Sequence, residues 1–411
     1  MPWHPGRVDQ PTASTGVRAH NRRRVLAAFA GSVALTRAEL CARTGLSRTT
    51  VAGIVNDLLA QGVLEAPGPD HAVSPHDGTG RPPALLTRVA PKGYGIALDM
   101  GHERIQVAIA DLGGRILARG VRFIGVDADA RGSAHHAALL LRDLRERADV
   151  QGRRCAGVVA AIPEPVDRDG LVSRTTVVSR WHHQRPGALL SEALGVPVHA
   201  ENDANLAIVG ETTFGVGRSA DHALYVKISH GVGLGIVING ALVRGATGLA
   251  GEIGHNLARP DGMVCLCGNR GCLYTLAASQ YLTSSLHAVT RNPGLTLDDL
   301  ATMGRQGDAG AGRVLRDAGR EVGRVLASLC NTLNPRLVVV GGSLARAGDW
   351  AITGLREAMA DHTEAQVAAS LDIVASRLGE RAELYGALAM AIGLVDPRTG
   401  ARRVPELAAA V

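Results

Sequence analysis

"GHNLARPDGMVCLCGNRGCLY" (residues 254–274) holds three of the chain's six cysteines and a histidine within eighteen residues. The soft ligands are His255, Cys265, Cys267 and Cys272. Three thiolates and one imidazole are the tetrahedral set that a structural zinc ion takes, with no position left open for chemistry. Gly262, Gly268 and Gly271 let a short loop turn back around an ion at no steric cost. Without a metal, the same stretch is a glycine-rich loop carrying four unrelated side chains. The Cys265-Leu266-Cys267 pair is also tighter than the usual finger spacing. The ligand set predicts Zn²⁺, and what the metal serves depends on the rest of the chain.

The 411 residues give room for two or three domains. No run of eighteen apolar residues appears, so no membrane span is expected. The opening "MPWHPGRVDQ" lacks the apolar stretch of a signal peptide, which points to the cytoplasm. Reduced thiols fit that compartment better than a disulfide framework does. Residues 1–92 carry eleven Arg and Lys against six Asp and Glu, which accounts for five of the six net positive charges. A basic segment ahead of a nearly neutral body suggests a polyanion-binding module. Lysine occurs only at Lys92 and Lys227. That arginine bias fits a GC-rich genome and carries little weight by itself.

"LTRAELCARTGLSRTTVAGIVNDLLAQGVLE" (35–65) reads as two helices around a tight turn. Thr36 with Glu39 forms a capping box for the first helix. Gly45 ends it, and Ser47 caps a second helix that buries Val51, Ile54, Val55, Leu58 and Leu59 as one stripe. Ser47, Arg48, Thr49 and Thr50 at its start are the small polar residues and single Arg that a major-groove reader needs. An earlier helix over 21–29 adds Val25, Leu26 and Phe29 to the core, with Arg22 and Arg23 placed for phosphates. The stretch after Gly62 turns extended, as a wing does. Its "GRPP" (80–83) holds Arg81 in an arm suited to a narrow A·T-rich minor groove, or is an ordinary proline-rich linker. Capping, turn, charge and wing together predict an α+β winged helix-turn-helix that binds operator DNA.

From residue 92 the sequence alternates short β-rich runs, turns and amphipathic helices. "GYGIALDMG" (93–101), "RIQVAIADLGGRIL" (104–117) and "RGVRFIGV" (119–126) predict a strand and a hairpin. A helix around "SAHHAALLLRDLRERA" and the strand "AGVVAAIPEPV" (156–166) follow. "HALYVKISHGVGLGIVINGALVRG" (222–245) repeats the opening pattern. A long helix at roughly 309–333 then leads into "RLVVVGGS" (336–343). Two similar α/β halves imply a cleft between duplicated lobes.

Four motifs in this body are specific together: "ENDANLAIVGE" (201–211), "GLAGEIGH" (248–255), "CLCGNRGC" (265–272) and "NPRLVVVGGS" (334–343). On them the body resembles the ROK family of repressors and sugar kinases, over nearly all of 92–396. The resemblance implies the two-lobed actin-like (ribonuclease H-like) sugar-kinase fold. It also implies sugar contacts at Asn202, Asp203, Glu252 and His255, with Asp203 as general base in any kinase reaction. His255 would serve both sugar and zinc, so the metal would hold the sugar-binding loop. Apart from the resemblance, Asn202-Asp203 is ordinary turn chemistry.

The donor side departs from a kinase. "DMGHE" keeps Asp99 and Gly101 but places Glu103, and "ISHGVGLG" (228–235) places His230, where the resemblance implies threonines facing phosphates. A carboxylate about 4 Å from a phosphate costs about 4 kcal/mol at an effective dielectric near 20. That is roughly three orders of magnitude in binding or turnover, so ATP is not an expected ligand. On the sugar side, Tyr274 and Glu164 stand where Glu and Gly are usual. These observations predict a tail at 1–16, the winged helix at 17–91, a body at 92–396 and a tail at 397–411. Within the body, lobe one covers about 92–199 plus a C-terminal helix at about 385–396, and lobe two about 200–384. The expected protein is a sugar-sensing repressor acting as a homodimer or homotetramer. A sugar kinase with an attached DNA-binding domain and a sugar-free scaffold are the alternatives.

Overall fold

The computed structural model describes residues 34–60, 63–66, 84–88, 93–125, 129–172, 181–290, 294–347 and 349–402, with single positions between 18 and 29 and at 292. Two compact units divide between Lys92 and Gly93, with Asp111–Arg115 grouped with the first.

In the first unit β1 (Ala34–Thr36) leads directly into α1 (Arg37–Thr44), and α2 (Arg48–Ala60) follows. β2 (Leu64–Glu65) and β3 (Leu85–Arg88) complete a sheet of order β1-β3-β2, antiparallel throughout. The expected local chemistry is present. The Thr36 side chain accepts from the Glu39 N–H, and the Glu39 carboxylate accepts from the Thr36 N–H. Gly45 closes α1 in the left-handed conformation at φ 64°, which a Cβ would strain. Ser47 Oγ accepts the Thr50 N–H at 3.2 Å and so caps α2. Val25, Leu26, Phe29, Leu40, Val51, Ile54, Val55 and Leu58 form a single core.

The second unit carries two five-stranded sheets of the same topology. The first contains β4 (Tyr94–Met100), β5 (Arg104–Asp111), β6 (Ile116–Phe123), β7 (Cys155–Ile162) and β8 (His199–Asn202), in the order β6-β5-β4-β7-β8. The second contains β9 (Ala223–Ile228), β10 (Val232–Ile238), β11 (Ala241–Leu242), β12 (Leu337–Gly341) and β13 (Asp372–Ala375), in the order β11-β10-β9-β12-β13. Each sheet starts as a meander and continues with two parallel strands. The inner parallel strands β7 and β12 read as nearly continuous apolar runs because helices cover them, whereas the edge strands β8 and β13 carry polar residues.

Helices α3 (Ala130–Arg147) and α4 (Pro186–Leu194) belong to the first half. After α5 (Asp203–Thr213) the second half adds α6 (Tyr274–Ala277), α7 (Ser279–Thr290), α8 (Leu297–Arg305), α9 (Ala309–Leu333), α10 (Asp349–His362) and α11 (Ala365–Ser370). The chain then returns to the first sheet through α12 (Ala382–Ala391). Each half has its own apolar core.

Pairing with β7 carries β8 to Asn202, so the first sheet ends three residues beyond the expected lobe limit of 199. The joint between the halves is the crossing of α5 and α12. There a Cβ on Gly210 would strike the Ala382 carbonyl, and one on Gly386 the Leu206 carbonyl. Glycine lets the two backbones touch, with Gly210 late in α5 against the first residue of α12 and Gly386 in mid-α12 against the first turn of α5. Among the described residues no helix is long and apolar enough to cross a membrane.

Candidate functional site

In the first unit, Ser47, Arg48 and Thr49 are exposed at the start of α2, and Thr50 is partly buried. The Ser47 hydroxyl lies 2.9 Å from that of Thr49 and 2.8 Å from that of Thr50, a compact polar tip. Arg37 donates to Asn56 Oδ1 at 2.9 Å and fixes α1 against α2. Arg22 is partly buried, while Arg23 and Arg81 lie outside the described residues. One turn along the same helix, a Cβ at Gly53 would meet nothing within 4 Å. Alanine there stabilises the unit by about 0.5–1 kcal/mol through helix propensity. Glu in place of Gly53, on the exposed face of this helix, is expected to lower DNA affinity at least tenfold without loss of stability. Chemical denaturation and fluorescence anisotropy of the two variants check this.

The second unit has a cleft of ≈370 Å³ between its sheets. Asn202, Asp203, Glu252 and His255 all line it, with Tyr274 and Glu164 beside them. Local structure explains how they converge. Asn202 caps α5, its Oδ1 accepting the Asn205 N–H at 3.2 Å, while its Nδ2 donates to the Glu164 carbonyl at 3.3 Å. One amide hydrogen and one lone pair of that side chain remain for a ligand. Below it, the Glu201 carboxylate accepts from the Asn202 N–H, from Asn205 Nδ2 and from Arg244 Nε, at 3.0, 2.9 and 2.6 Å. Glu252 opens a 3₁₀ turn, Ile253–His255, whose three-residue period brings Glu252 and His255 to one face.

Asp203 Oδ2 accepts from Lys227 Nζ at 2.7 Å, and the same ammonium reaches Glu383 Oε1 at 2.7 Å. Behind them Asp99 accepts from Gln106 Nε2 at 2.9 Å. Burial, and after it the Glu383 carboxylate, pushes Asp99 up to about 7 against the pull of Lys227. Burial does the same to Glu252, also to about 7, helped by Asp203 and Glu164.

The two departures from a phosphate site meet each other. His230 Nε2 lies 3.7 Å from Glu103 Oε1, and the His230 ring packs at 4.4 Å on His102. The Glu103 side chain is 81% exposed and that of His230 45%. In so wet a position the repulsion between Glu103 and a phosphate falls toward about 1 kcal/mol, less than the sequence alone suggests.

His255, Cys265, Cys267 and Cys272 bring their ligand atoms within 4.8 Å of one another. Cys267 Sγ to Cys272 Sγ is 3.7 Å, and Cys265 Sγ to His255 Nδ1 is also 3.7 Å. A tetrahedron with bonds of about 2.3 Å has edges of about 3.8 Å, so the donor set fits a metal of that geometry. Burial first, then the two neighbouring thiols, pushes Cys272 up to about 12, so ionising this sulfur near neutral pH calls for a cation beside it. The loop folds as a small ribbon, with bridges between Leu257 and Cys272 and between Val264 and Arg270. The His255 and Tyr274 rings stack 6.1 Å apart, and the Tyr274 hydroxyl accepts from Gln280 Nε2 at 3.1 Å.

The family model described as ROK family matches residues 95–393. The chain belongs to the ROK family. A second model, described as MarR family, matches residues 20–72, over the winged helix-turn-helix. The xylose repressor of Bacillus subtilis (strain 168) is 28% identical over 90% of this chain and 94% of that protein. A ROK family transcriptional regulator, described as a homolog of the E. coli MLC protein, superposes with a TM-score of 0.70 at 23% identity. That match covers 92% of this chain and 96% of the other, so the likeness spans both units in fold. The ROK glucokinase from Streptomyces griseus, solved with glucose and AMPPNP, superposes with a TM-score of 0.64 at 27% identity. It covers 72% of this chain and 99% of the kinase, a share the size of the ROK body.

Sequence reading missed Lys227, Glu383 and the Glu201–Arg244 pair at this ROK cleft. A signal for the first was present: Lys227 is the single lysine after residue 92 in a chain whose other cations are arginines. Glu383 lies far from the motifs in sequence, and Arg244 lies 43 positions from its partner Glu201, so neither could be linked without the fold.

The shift of Glu252 has a consequence for stability. With an ordinary value of 4.5 and a folded value of about 7, the folded chain holds the extra proton between those pH values. Stability from this group is therefore full below about 4.5 and is lost as pH rises to about 7. Glu252→Gln removes that loss, so it melts above wild type at pH 8 and level with it at pH 4. Thermal melts across that range test the sign.

Proposed function

We propose that this ROK protein is a sequence-specific DNA-binding transcriptional regulator, a repressor, whose body binds a sugar or sugar derivative as effector. One observation carries the reading: an exposed Ser47-Arg48-Thr49 tip on a MarR-type winged helix shares a chain with a cleft lined by Asn202, Asp203, Glu252 and His255. The similarity to a xylose repressor along 90% of the chain supports joining the two in one regulator.

A neutral sugar offers only hydroxyls, and carboxylates, an amide and an imidazole give it paired acceptors and donors. Asn202, Asp203, Glu252 and His255 hold the sugar. Zn²⁺ on His255, Cys265, Cys267 and Cys272 is structural: it closes the loop and sets the His255 ring so that its other nitrogen faces the cleft. The effector shifts DNA affinity by binding two states of the protein unequally, and no reaction is needed. Arg22, Arg23 and Arg81 contact phosphates or the minor groove, and the Ser47–Thr50 tip reads bases. The protein acts in the cytoplasm on operator DNA as a homodimer or homotetramer, since paired half-sites call for paired helices.

Titration calorimetry of the full chain against neutral pentoses and hexoses tests the cleft. Saturable binding at about one sugar per chain is expected, and no saturation by any of them would reduce the body to a scaffold. The resemblance of the body to a glucokinase solved with AMPPNP gives a second reading, an ATP-dependent sugar kinase. Glu103→Thr combined with His230→Thr is expected to gain no ATP-dependent sugar phosphorylation, and a gain would favour the kinase.

A further inference from the structure

Among the described residues two side-chain cations line the cleft, Arg104 on Glu380 and Lys227, and neither the sugar nor the metal accounts for Lys227. The Lys227 side chain rises from β9 of the second sheet and is largely buried. Its ammonium sits 2.7 Å from Asp203 at the start of α5 and 2.7 Å from Glu383 in the first turn of α12. Asp99, at the end of β4 in the first sheet, faces the same charge. The second sheet and both helices of the joint thus meet on a single nitrogen, with Asp99 of the first sheet adding its charge to the surroundings.

We propose that Lys227 is the positioning residue of the cleft: its ammonium, held between Asp203 and Glu383, fixes the Asp203 carboxylate for a sugar hydroxyl and pins the second sheet to α5 and α12. The proposal rests on the sugar-binding reading above. The residue type is informative. The chain has 44 Lys and Arg, and only two are lysines. Where arginine is the default cation, a lysine buried between the carboxylates of Asp203 and Glu383 marks a need for a compact charge. An ammonium is a compact point charge with three rotatable donors, whereas a guanidinium is a larger, rigid planar fork. With the ammonium in place, Asp203 keeps one oxygen fixed, and its orientation is set before a ligand arrives.

The test is chemical rescue. Lys227→Ala leaves a slot the length of the lost side chain, with the carboxylates around it uncompensated. Calorimetry with the best-binding sugar is expected to show at least a tenfold loss of affinity in this variant. Ethylammonium chloride at tens of millimolar is expected to restore most of it. Tetramethylammonium at the same ionic strength is too wide and is expected to restore none. Ethylammonium should also raise the melting temperature of Lys227→Ala and leave wild type unmoved, a readout that needs no sugar.

Wild-type sugar affinity in Lys227→Ala, or equal effects of the two amines, would overturn the proposal. If wild type binds no sugar while ethylammonium still stabilises the variant selectively, the sugar reading fails and the pinning of the sheets stands. Should Lys227→Ala not fold, Lys227→Met with Glu383→Leu removes one charge of each sign. That double variant is expected to fold with at least tenfold weaker sugar binding, and wild-type affinity in it would equally overturn the proposal.

Discussion

Asp203→Ala abolishes the sugar response and leaves the DNA affinity of the ligand-free chain within about twofold of wild type. Asp203 lies at the head of α5 in the ROK body, and the Ser47–Thr50 tip belongs to the other unit. A hydrogen bond to a charged group contributes about 1.5–3 kcal/mol, so losing a carboxylate proposed to take one or two sugar hydroxyls is expected to cost at least about tenfold in affinity, and more than about 100-fold where two bonds go. The variant folds because Lys227 keeps Glu383 as a partner at 2.7 Å. Calorimetry for the sugar and anisotropy for the DNA measure the two effects separately. Loss of both together would mean that the units are not separable in function.

The second large effect belongs to the metal loop. Cys272→Ser replaces a buried sulfur whose neighbours are Cys267, Cys265 and His255. A serine hydroxyl does not ionise near neutral pH and is a poor zinc ligand, so the site falls to three donors and loses its ion. Metal analysis should fall from about one zinc per chain to less than about 0.1. Loosening the ribbon between Leu257 and Cys272 also frees His255, which ends the 3₁₀ turn beside Glu252. A cost of about 4 kcal/mol, or roughly 10 °C in melting temperature, is expected together with loss of sugar binding. A wild-type chain that carries no metal would show that the four residues are not a metal site, and a fully stable Cys272→Ser that still binds sugar would show that the ion has no structural role.

The division of labour between sequence and fold follows the range of the interactions. Thr36, Glu39, Gly45 and Ser47 act within four residues, so capping and turn were readable along the chain and recur in the structure. The apolar stripe of α2 was equally plain because its period is local, and Leu59 at its margin is only partly buried. The metal ligands were legible because three of the four fall within eight residues. The duplicated sheets showed through repeated strand and turn patterns, although β8 ran past the expected boundary, since strand length is set by pairing with β7.

What stayed hidden joins distant segments. Lys227 meets Glu383 across 156 positions, and Glu201 meets Arg244 across 43. Asn202 was readable as a ligand or as a turn, and the structure gives its side chain a capping bond as well as a place in the cleft. The mutual pairing of Glu103 and His230 was equally invisible, because each was weighed against a phosphate and not against the other.

The most direct test of a sugar-responsive repressor is fluorescence anisotropy on DNA from upstream of the protein's own gene, at two salt concentrations, with and without neutral sugars. The expected result is tight binding that keeps its sequence preference at the higher salt and is weakened at least tenfold by one sugar. Binding that falls with salt, shows no preference for that DNA over a scrambled duplex and ignores every sugar would contradict it.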